Sequence, residues 1–346
     1  MANKSSIFSR LLILAIASLL VSVLVCSYKG EAWEEKFRTL LSAIKKDSIP
    51  DFAKEVVDEK GIPYVIYAEQ NGINPGKKYN PTIVANYAIG YYEQVKSSNG
   101  PDAETRFKNC VDWLINNISN KDSFALYEFN WQQPWYPSVK APYTSGMTSG
   151  RAIEVFTYAY KLYPSPKYLH YAKLLVRGFY LPIQTGGFTY KEPTGWWYEE
   201  IADRNLKTPK ILDGHIFAVT GIHKYWQVTK SDSAKLVVQK GLQALKHNLP
   251  AYDAGNGWTF YDVYKKRSDK KYHRILTNQM KQVYELSNDP FFLNYYKKWN
   301  AYFEKPYLLR ALQEGNRTSL LLFTCCFLLT SVVLYFLSWL YYKMKA

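Results

Sequence analysis

Between Arg317 and Lys343 the chain runs TSLLLFTCCFLLTSVVLYFLSWLYY, 25 residues without a charge. A helix of that length crosses a hydrocarbon core of ~30 Å with room to tilt, and Trp339, Tyr341 and Tyr342 near its end suit a membrane boundary. A second uncharged run, LLILAIASLLVSVLVCSY, fills the 18 positions between Arg10 and Lys29. A signal peptide competes for this shorter run, but Val25-Cys26-Ser27-Tyr28 is a poor cleavage site, so an uncleaved anchor is expected. Lys4 and Arg10 precede it while Glu31, Glu34 and Glu35 follow, which orients the N-terminus toward the cytoplasm. Two spans then put everything between them outside the cytoplasm or in a lumen. The expected organisation is an anchor over 1–30, a lead-in over 31–75, a folded domain over 76–310 and a second transmembrane helix over 318–342.

Charge narrows the partners. The formal net charge is +15, and setting aside Lys4, Arg10, Lys29, Lys343 and Lys345 still leaves 39 basic against 29 acidic residues. Such a region attracts polyanions. Nucleic acid is rarely met outside the cytoplasm, so acidic polysaccharide or anionic lipid is the expected partner, against a merely solvated basic surface. Only Cys110 of the four cysteines lies in the middle region, which excludes a disulfide framework or a cysteine metal site there. No paired metal-ligand spacing, phosphate loop or nucleophile elbow is present, so no cofactor or metal is expected.

From Asn80 the pattern is helical. Asn80-Pro81, Asp102, Ser165-Pro166, Ser231 and Asp289-Pro290 each read as a helix start. Phe107, Val111, Leu114 and Ile115 share one helical face, as do Ile153, Phe156 and Tyr160; about eight helices are expected. Three Gly/Pro-punctuated aromatic loops, FNWQQPWYPSVK, TGGFTYKEPTGWWYEE and YDAGNGWTFYD, recur roughly 60 residues apart, about two helices plus connections. Helix pairs delivering one loop type at a regular interval describe an all-α fold, an α/α barrel whose aromatic loops line one cleft. Sugar rings stack well on such loops. The competing reading is a plain helical bundle.

Tyr79-Asn80-Pro81-Thr82, Ser145-Gly146-Met147-Thr148-Ser149-Gly150-Arg151-Ala152, Trp197-Tyr198-Glu199-Glu200, Leu212-Asp213-Gly214, Tyr252-Asp253-Ala254-Gly255, Tyr261-Asp262 and Tyr272-His273 follow in order over roughly residues 75 to 305. This ordered set resembles the C-terminal catalytic domain of the D-glucuronyl C5-epimerase family. The resemblance implies an α/α barrel, no redox cofactor, and inversion of C5 of glucuronic acid in a heparosan- or heparan-like polymer. The C5 hydrogen is α to a carboxylate, so its removal builds charge on an anion. The site therefore needs stabilisation of that carboxylate, with a base on one face of the ring and an acid on the other.

The resemblance implies Glu200 and Tyr272 as the two-sided proton pair, either one as base, and Tyr261 as a positioning or relay hydroxyl. A tyrosine titrates near ~10 and needs positive neighbours to act as a base; Lys265, Lys266, Arg267, Lys270, Lys271 and Arg274 stand around this pair in sequence. Candidate substrate contacts are Trp197 and Tyr198, with Trp196 a sugar-stacking lip, and Trp258, Arg151, Lys266, Arg267 and His273. His273 is equally readable as structural, and His215 reads as a core residue. Asn117-Ile118-Ser119 is a glycosylation acceptor pattern. Ile201 stands where the family carries a further tyrosine, and Tyr264 where it carries a basic residue. A lyase using the same proton abstraction, or a non-catalytic glycan-binding component working with a polysaccharide synthase or export complex, are the competing functions. A hydrolase is disfavoured because adjacent Glu199 and Glu200 would not flank a bond.

Overall fold

The first apolar run does not end where a short anchor would. In the computed structural model, which describes residues 4–45, 53–98, 100, 102–205 and 208–345, a single helix α1 (Lys4–Lys45) carries the chain through the run and on into the charged lead-in. The lead-in expected from residue 31 thus begins as a continuation of α1. No proline interrupts EAWEEKFRTLL, and one glycine, Gly30, costs too little to break a helix this long.

Three short strands follow: β1 (Ala53–Val57), β2 (Pro63–Tyr67) and β3 (Gly76–Lys78), an antiparallel sheet in the order β1-β2-β3. Helices then come in pairs: α2 (Pro81–Lys96) with α3 (Ala103–Asn116), α4 (Gly146–Leu162) with α5 (Pro166–Gly178), α6 (Leu212–Thr229) with α7 (Asp232–Asn248), then α8 (Lys270–Ser287) and α9 (Pro290–Glu304). Among the described residues these are eight helices. Asn80 and Ser231 accept the capping bonds from Thr82 and Ala234 that their positions led one to expect, whereas Asp102 and Ser165 make none. The loops between pairs add β4 (Ser119–Asn120), β5 (Ala125–Leu126), β6 (Glu128–Phe129), β7 (Tyr143–Thr144), β8 (Thr189–Glu192), β9 (Gly195–Tyr198), β10 (Asp253–Gly255) and β11 (Trp258–Thr259), in two-stranded ladders. The domain is therefore helix-rich rather than all-α. Connections that reverse direction next to aromatic side chains satisfy their backbone groups by pairing with themselves.

The even-numbered helices pack successively, α2 on α4, α4 on α6 and α6 on α8, while α3, α5 and α7 back their own partners. The α4–α6 contact is very close. A Cβ on Gly150 would lie 2.4 Å from Ala218 Cα, and one on Gly221 would lie 2.1 Å from the Gly150 carbonyl oxygen. Apolar faces meet there with Ile153, Phe156, Val219 and Ile222 buried. Each long loop leaves an odd-numbered helix and enters the next even-numbered one, so the three aromatic loops emerge at one end of the row.

The chain divides at Asp51 and Asn300, so the residues expected as a lead-in fall on both sides of a boundary. The other unit, residues 1–50 with 301–346, packs α1 against α10 (Tyr307–Glu314) and α11 (Arg317–Lys345). Ser22 and Thr330 share a hydrogen bond of 2.7 Å, and Cys26, Tyr307, Leu322 and Phe323 form a small core. The buried Glu34 carboxylate accepts from Tyr307 Oη and Asn316 Nδ2 at 3.3 and 3.1 Å, and Arg310 pairs with Glu31. Phe8–Leu41 and Arg317–Met344 are each long and apolar enough to cross a membrane, one near each terminus.

Candidate active site

Backbone bonds tie the three loops together. Thr144 and Ala202 exchange N–H···O bonds of 3.1 and 2.9 Å, Gly146 donates to the Glu199 carbonyl at 2.7 Å, and Leu212 to the Tyr261 carbonyl at 3.1 Å. Tyr136 Oη adds a 2.9 Å bond to Asp262 Oδ2. Between these loops, the β1–β2 face and the starts of α2, α4, α6 and α8 lies a cavity of about 650 Å³.

Two adjacent glutamates part company at its wall. Glu199 is buried away from the cavity, where it accepts from Thr208 Oγ1 at 2.5 Å and from the Lys210 N–H at 3.1 Å. Glu200 faces the cavity instead and lies against the first turn of α6; a Cβ on Gly214 would meet its Oε2 at 2.5 Å. That glycine is what lets the carboxyl approach the helix. Asp213, in the same turn, also lines the cavity. Glu200 Oε2 and Asp213 Oδ1 are both shielded from solvent, and neither has a hydrogen-bond partner among the described residues.

Burial, then the Asp213 and Glu199 charges, push Glu200 far above the usual carboxylate range. Burial raises Asp213 to about 7, opposed by the backbone N–H groups of Gly214 and Asp213 itself at the helix start. Two carboxyls that repel each other in a dry site titrate as a pair. Near neutrality the pair gives up its first proton while keeping the second.

Close to them stand two tyrosines that line the same cavity. The rings of Tyr261 and Tyr272 meet edge to face at 4.8 Å. Burial and the Glu200 and Asp213 charges raise Tyr261 well above 10. Burial, Asp213, Glu200 and Asp269 do the same to Tyr272, against a hydrogen bond from Tyr261. Lys266 and Lys271 sit 5.7 and 5.9 Å from the two ring centroids and line the cavity with Arg267. The expectation that these cations would depress the tyrosines is overturned, because burial beside two carboxyls outweighs them. Both hydroxyls hold their protons.

The structure brings Glu200, Tyr261, Tyr272, Lys266 and Arg267 together around one cavity. It does not bring Trp197 and Tyr198 there. Both are fully buried: Trp197 stacks on His215 at 4.1 Å and parallel to Tyr252, and Tyr198 Oη donates to the Val237 carbonyl at 2.6 Å. They belong to the core and form no stacking lip on the cavity. Trp196 packs edge-on against Tyr180, with Lys191 over its ring. His215 is the core histidine expected: it accepts from the Tyr198 N–H at 3.0 Å, reaches the Gly241 carbonyl at 3.1 Å, and burial lowers it to about 3.

Trp258 and His273 stack at 4.2 Å behind the wall, neither lining the cavity, with Trp258 Nε1 donating to the Ser268 carbonyl at 2.8 Å and Arg267 over its indole at 5.0 Å. His273 is buried and lowered to about 4 by burial, so it is neutral. Trp258 packs under Arg267, and neither ring reaches the cavity wall. Arg151 is engaged by Asn86 Oδ1 and Glu154 Oε2, each at 2.8 Å, so it reaches the cavity only through Asn86 and Phe217, which line it.

Sequence reasoning missed Asp213, although Leu212-Asp213-Gly214 was in view; a carboxylate in the first turn of a helix ordinarily reads as a dipole partner. It also missed Tyr136 and Tyr143. Ile201 does line the cavity, as do these two tyrosines from another loop.

Residues 121–301 match the family model described as D-glucuronyl C5-epimerase C-terminus. An uncharacterized protein of Methanocaldococcus jannaschii is 27% identical over 261 residues, covering 70% of this chain and 83% of that protein. The D-glucuronyl C5-epimerase of Caenorhabditis elegans is 26% identical over 178 residues, 45% of this chain but 27% of that enzyme. Among solved structures, a family 76 glycoside hydrolase of a bovine Bacteroides thetaiotaomicron strain is similar with a TM-score of 0.48 at 14% identity, covering 90% of this chain and 67% of that one. A cellobiose 2-epimerase of Spirochaeta thermophila reaches 0.46 at 11% identity, with 84% and 73% covered.

Proposed function

Because the chain belongs to the D-glucuronyl C5-epimerase C-terminus family, we propose that it is a membrane-anchored carbohydrate epimerase that inverts C5 of D-glucuronic acid residues in an acidic, heparosan-like polysaccharide. On this reading the helix pairs are part of an α/α barrel, and the two terminal helices hold the domain on the extracytoplasmic or lumenal side of a membrane. A polymer synthase or export complex there is the natural source of substrate.

The observation that carries the proposal is a carboxyl pair, Glu200 and Asp213, sharing a cavity with a protonated tyrosine pair, Tyr261 and Tyr272, beside three cations. Lys266, Arg267 and Lys271 would hold the uronate carboxylate and offset the charge that develops on it as C5 loses its proton. The carboxyl pair, once singly ionised, takes that proton from one face. Tyr272 then gives its own to the other face, and C5 closes with inverted configuration. The resulting tyrosinate is reprotonated through Tyr261, and the carboxyl pair releases the proton it gained. The roles left open between Glu200 and Tyr272 are thereby divided: the carboxyl pair is base and the tyrosine acid in the glucuronate-to-iduronate direction, and the reverse in the other.

The test is incubation of the purified chain with a glucuronate polymer in deuterated water. Deuterium at C5 with the chain intact is the expected outcome. Unsaturated ends would instead identify a lyase, and neither result across several uronate polymers would leave a glycan-binding role.

A further inference from the structure

Two thiols meet between the first helix of the chain and the last. α1 and α11 run antiparallel in one register: Arg10 lies over the Tyr342 ring at 3.6 Å, and 12 residues further along α1 Ser22 bonds Thr330, 12 residues back along α11. Four residues on and four back, the same register sets Cys26 opposite Cys326. Cys26 is fully buried in the small core of this unit, and Cys326 packs against that core with its thiol close enough to Cys26 to bond it. Cys325, one residue away and so ~100° round the helix, lies outside that core.

The two backbones are close at this point. Ser18, Ser22 and Cys26 recur every four residues and each is 0% exposed. Small side chains along one stripe let helices approach. Thr330 Oγ1 shows how near they come, since besides the Ser22 hydroxyl at 2.7 Å it lies 3.5 Å from the Ser18 backbone carbonyl oxygen. A disulfide needs Cα atoms within roughly 7 Å and Cβ atoms directed at each other. Closely packed helices with facing cysteines are the arrangement that supplies both.

We propose that Cys26 and Cys326 are a disulfide-forming pair that ties the first helix to the last, with a disulfide of the surrounding compartment as oxidant. Cys326 is only partly buried, so its thiolate attacks the donor disulfide, forming a mixed disulfide and releasing one donor thiol. The Cys26 thiolate then attacks the Cys326 sulfur and the second donor thiol leaves. The pair gives up two electrons and two protons, and the donor takes them as two thiols. Cys26 stands three residues, less than one turn, inside Lys29, the first charge at that end of the apolar run. With the N-terminus in the cytoplasm this end faces the extracytoplasmic or lumenal side, where disulfides persist. The side of the membrane, and that alone, rests on the proposed topology.

The full chain, purified in detergent, is incubated with oxidised glutathione, alkylated and digested with trypsin. Peptides 11–29 and 318–343, which hold Cys26 and Cys326, should appear in most molecules as one species, lighter than their combined mass by two hydrogens and separated by reductant. Cys26→Ser and Cys326→Ser should each abolish it, while Cys325→Ser should leave its yield unchanged. Unlinked peptides from the unsubstituted chain, undiminished linkage after Cys326→Ser, or linkage between two chains overturns the proposal. In cells expressing the full chain, with thiols blocked by N-ethylmaleimide before lysis, the linked species should already be present. Linkage that forms only once oxidised glutathione is added supports the pair and overturns the proposed side of the membrane.

Discussion

Carboxylates are buried in two ways within the domain. Glu154, 1% exposed between α4 and α6, is surrounded: Arg151 binds Oε2 at 2.8 Å, Lys224 pairs with Oε1, and Tyr158 donates to Oε1 at 2.9 Å. Burial alone would raise it, yet Arg151, Lys224 and Tyr158 together hold it below the usual value. Glu200 and Asp213 are buried with an oxygen each left unbonded and are raised. A buried charge that is fully answered holds a structure together. One that is left unanswered is a reserve of basicity, and the second arrangement is the one found in a cavity.

Substitutions should separate the two. Asp213→Asn or Glu200→Gln is expected to lower C5 exchange by ~10²–10⁴-fold while leaving Tm unchanged or higher, since a repulsion is removed; a fall in Tm with exchange retained would reverse the assignment. Tyr272→Phe should lower exchange by ~10²-fold or more and spare polymer binding, as measured by calorimetry. Glu154→Gln should instead cost about 3 kcal/mol of stability in denaturant unfolding, with Arg151 left unpaired in a buried site.

Two smaller effects follow in pH. Exchange, measured as kcat/KM, should rise with pH through about 7 as the carboxyl pair loses the first of its two protons and becomes singly ionised. Glu199 is raised by burial to about 8, so the folded state binds its proton more tightly than the unfolded one. Its contribution to stability is present below an unfolded value of ~4.5 and is lost as pH rises toward about 8. Glu154, lowered, acts in the opposite sense, with stability present above its unfolded value and lost as pH falls through the folded one. Glu199→Gln should flatten the loss between pH 4.5 and 8 in melting profiles; an unchanged slope would point to Glu200 and Asp213 as its source.

Much of this fold is legible along the chain. Asn80 and Ser231 announce their helices, Phe107, Val111 and Leu114 announce a buried face, and the spacing of the aromatic loops announces that they meet. The site is legible only in part. Glu200, Tyr261, Tyr272, Lys266 and Arg267 reach the cavity, but in Trp197-Tyr198-Glu199-Glu200 four neighbouring side chains suit a ligand equally well on paper, and three of them are core. Which one faces the cavity depends on how β9 pairs with β8 and packs on α7, contacts made with residues far away in sequence.

The sequence alone determined the helix pairs, the loops between them, the two apolar end helices and the family, because caps, periodicity and ordered motifs are local or additive signals. Only the tertiary structure decided which acids are answered and which are not. Lys224 reaches Glu154 across 70 positions, and among the described residues nothing bonds to Glu200 Oε2 or Asp213 Oδ1. A charge's basicity is set by the partners and solvent around it in space, and neither is written beside it in the chain.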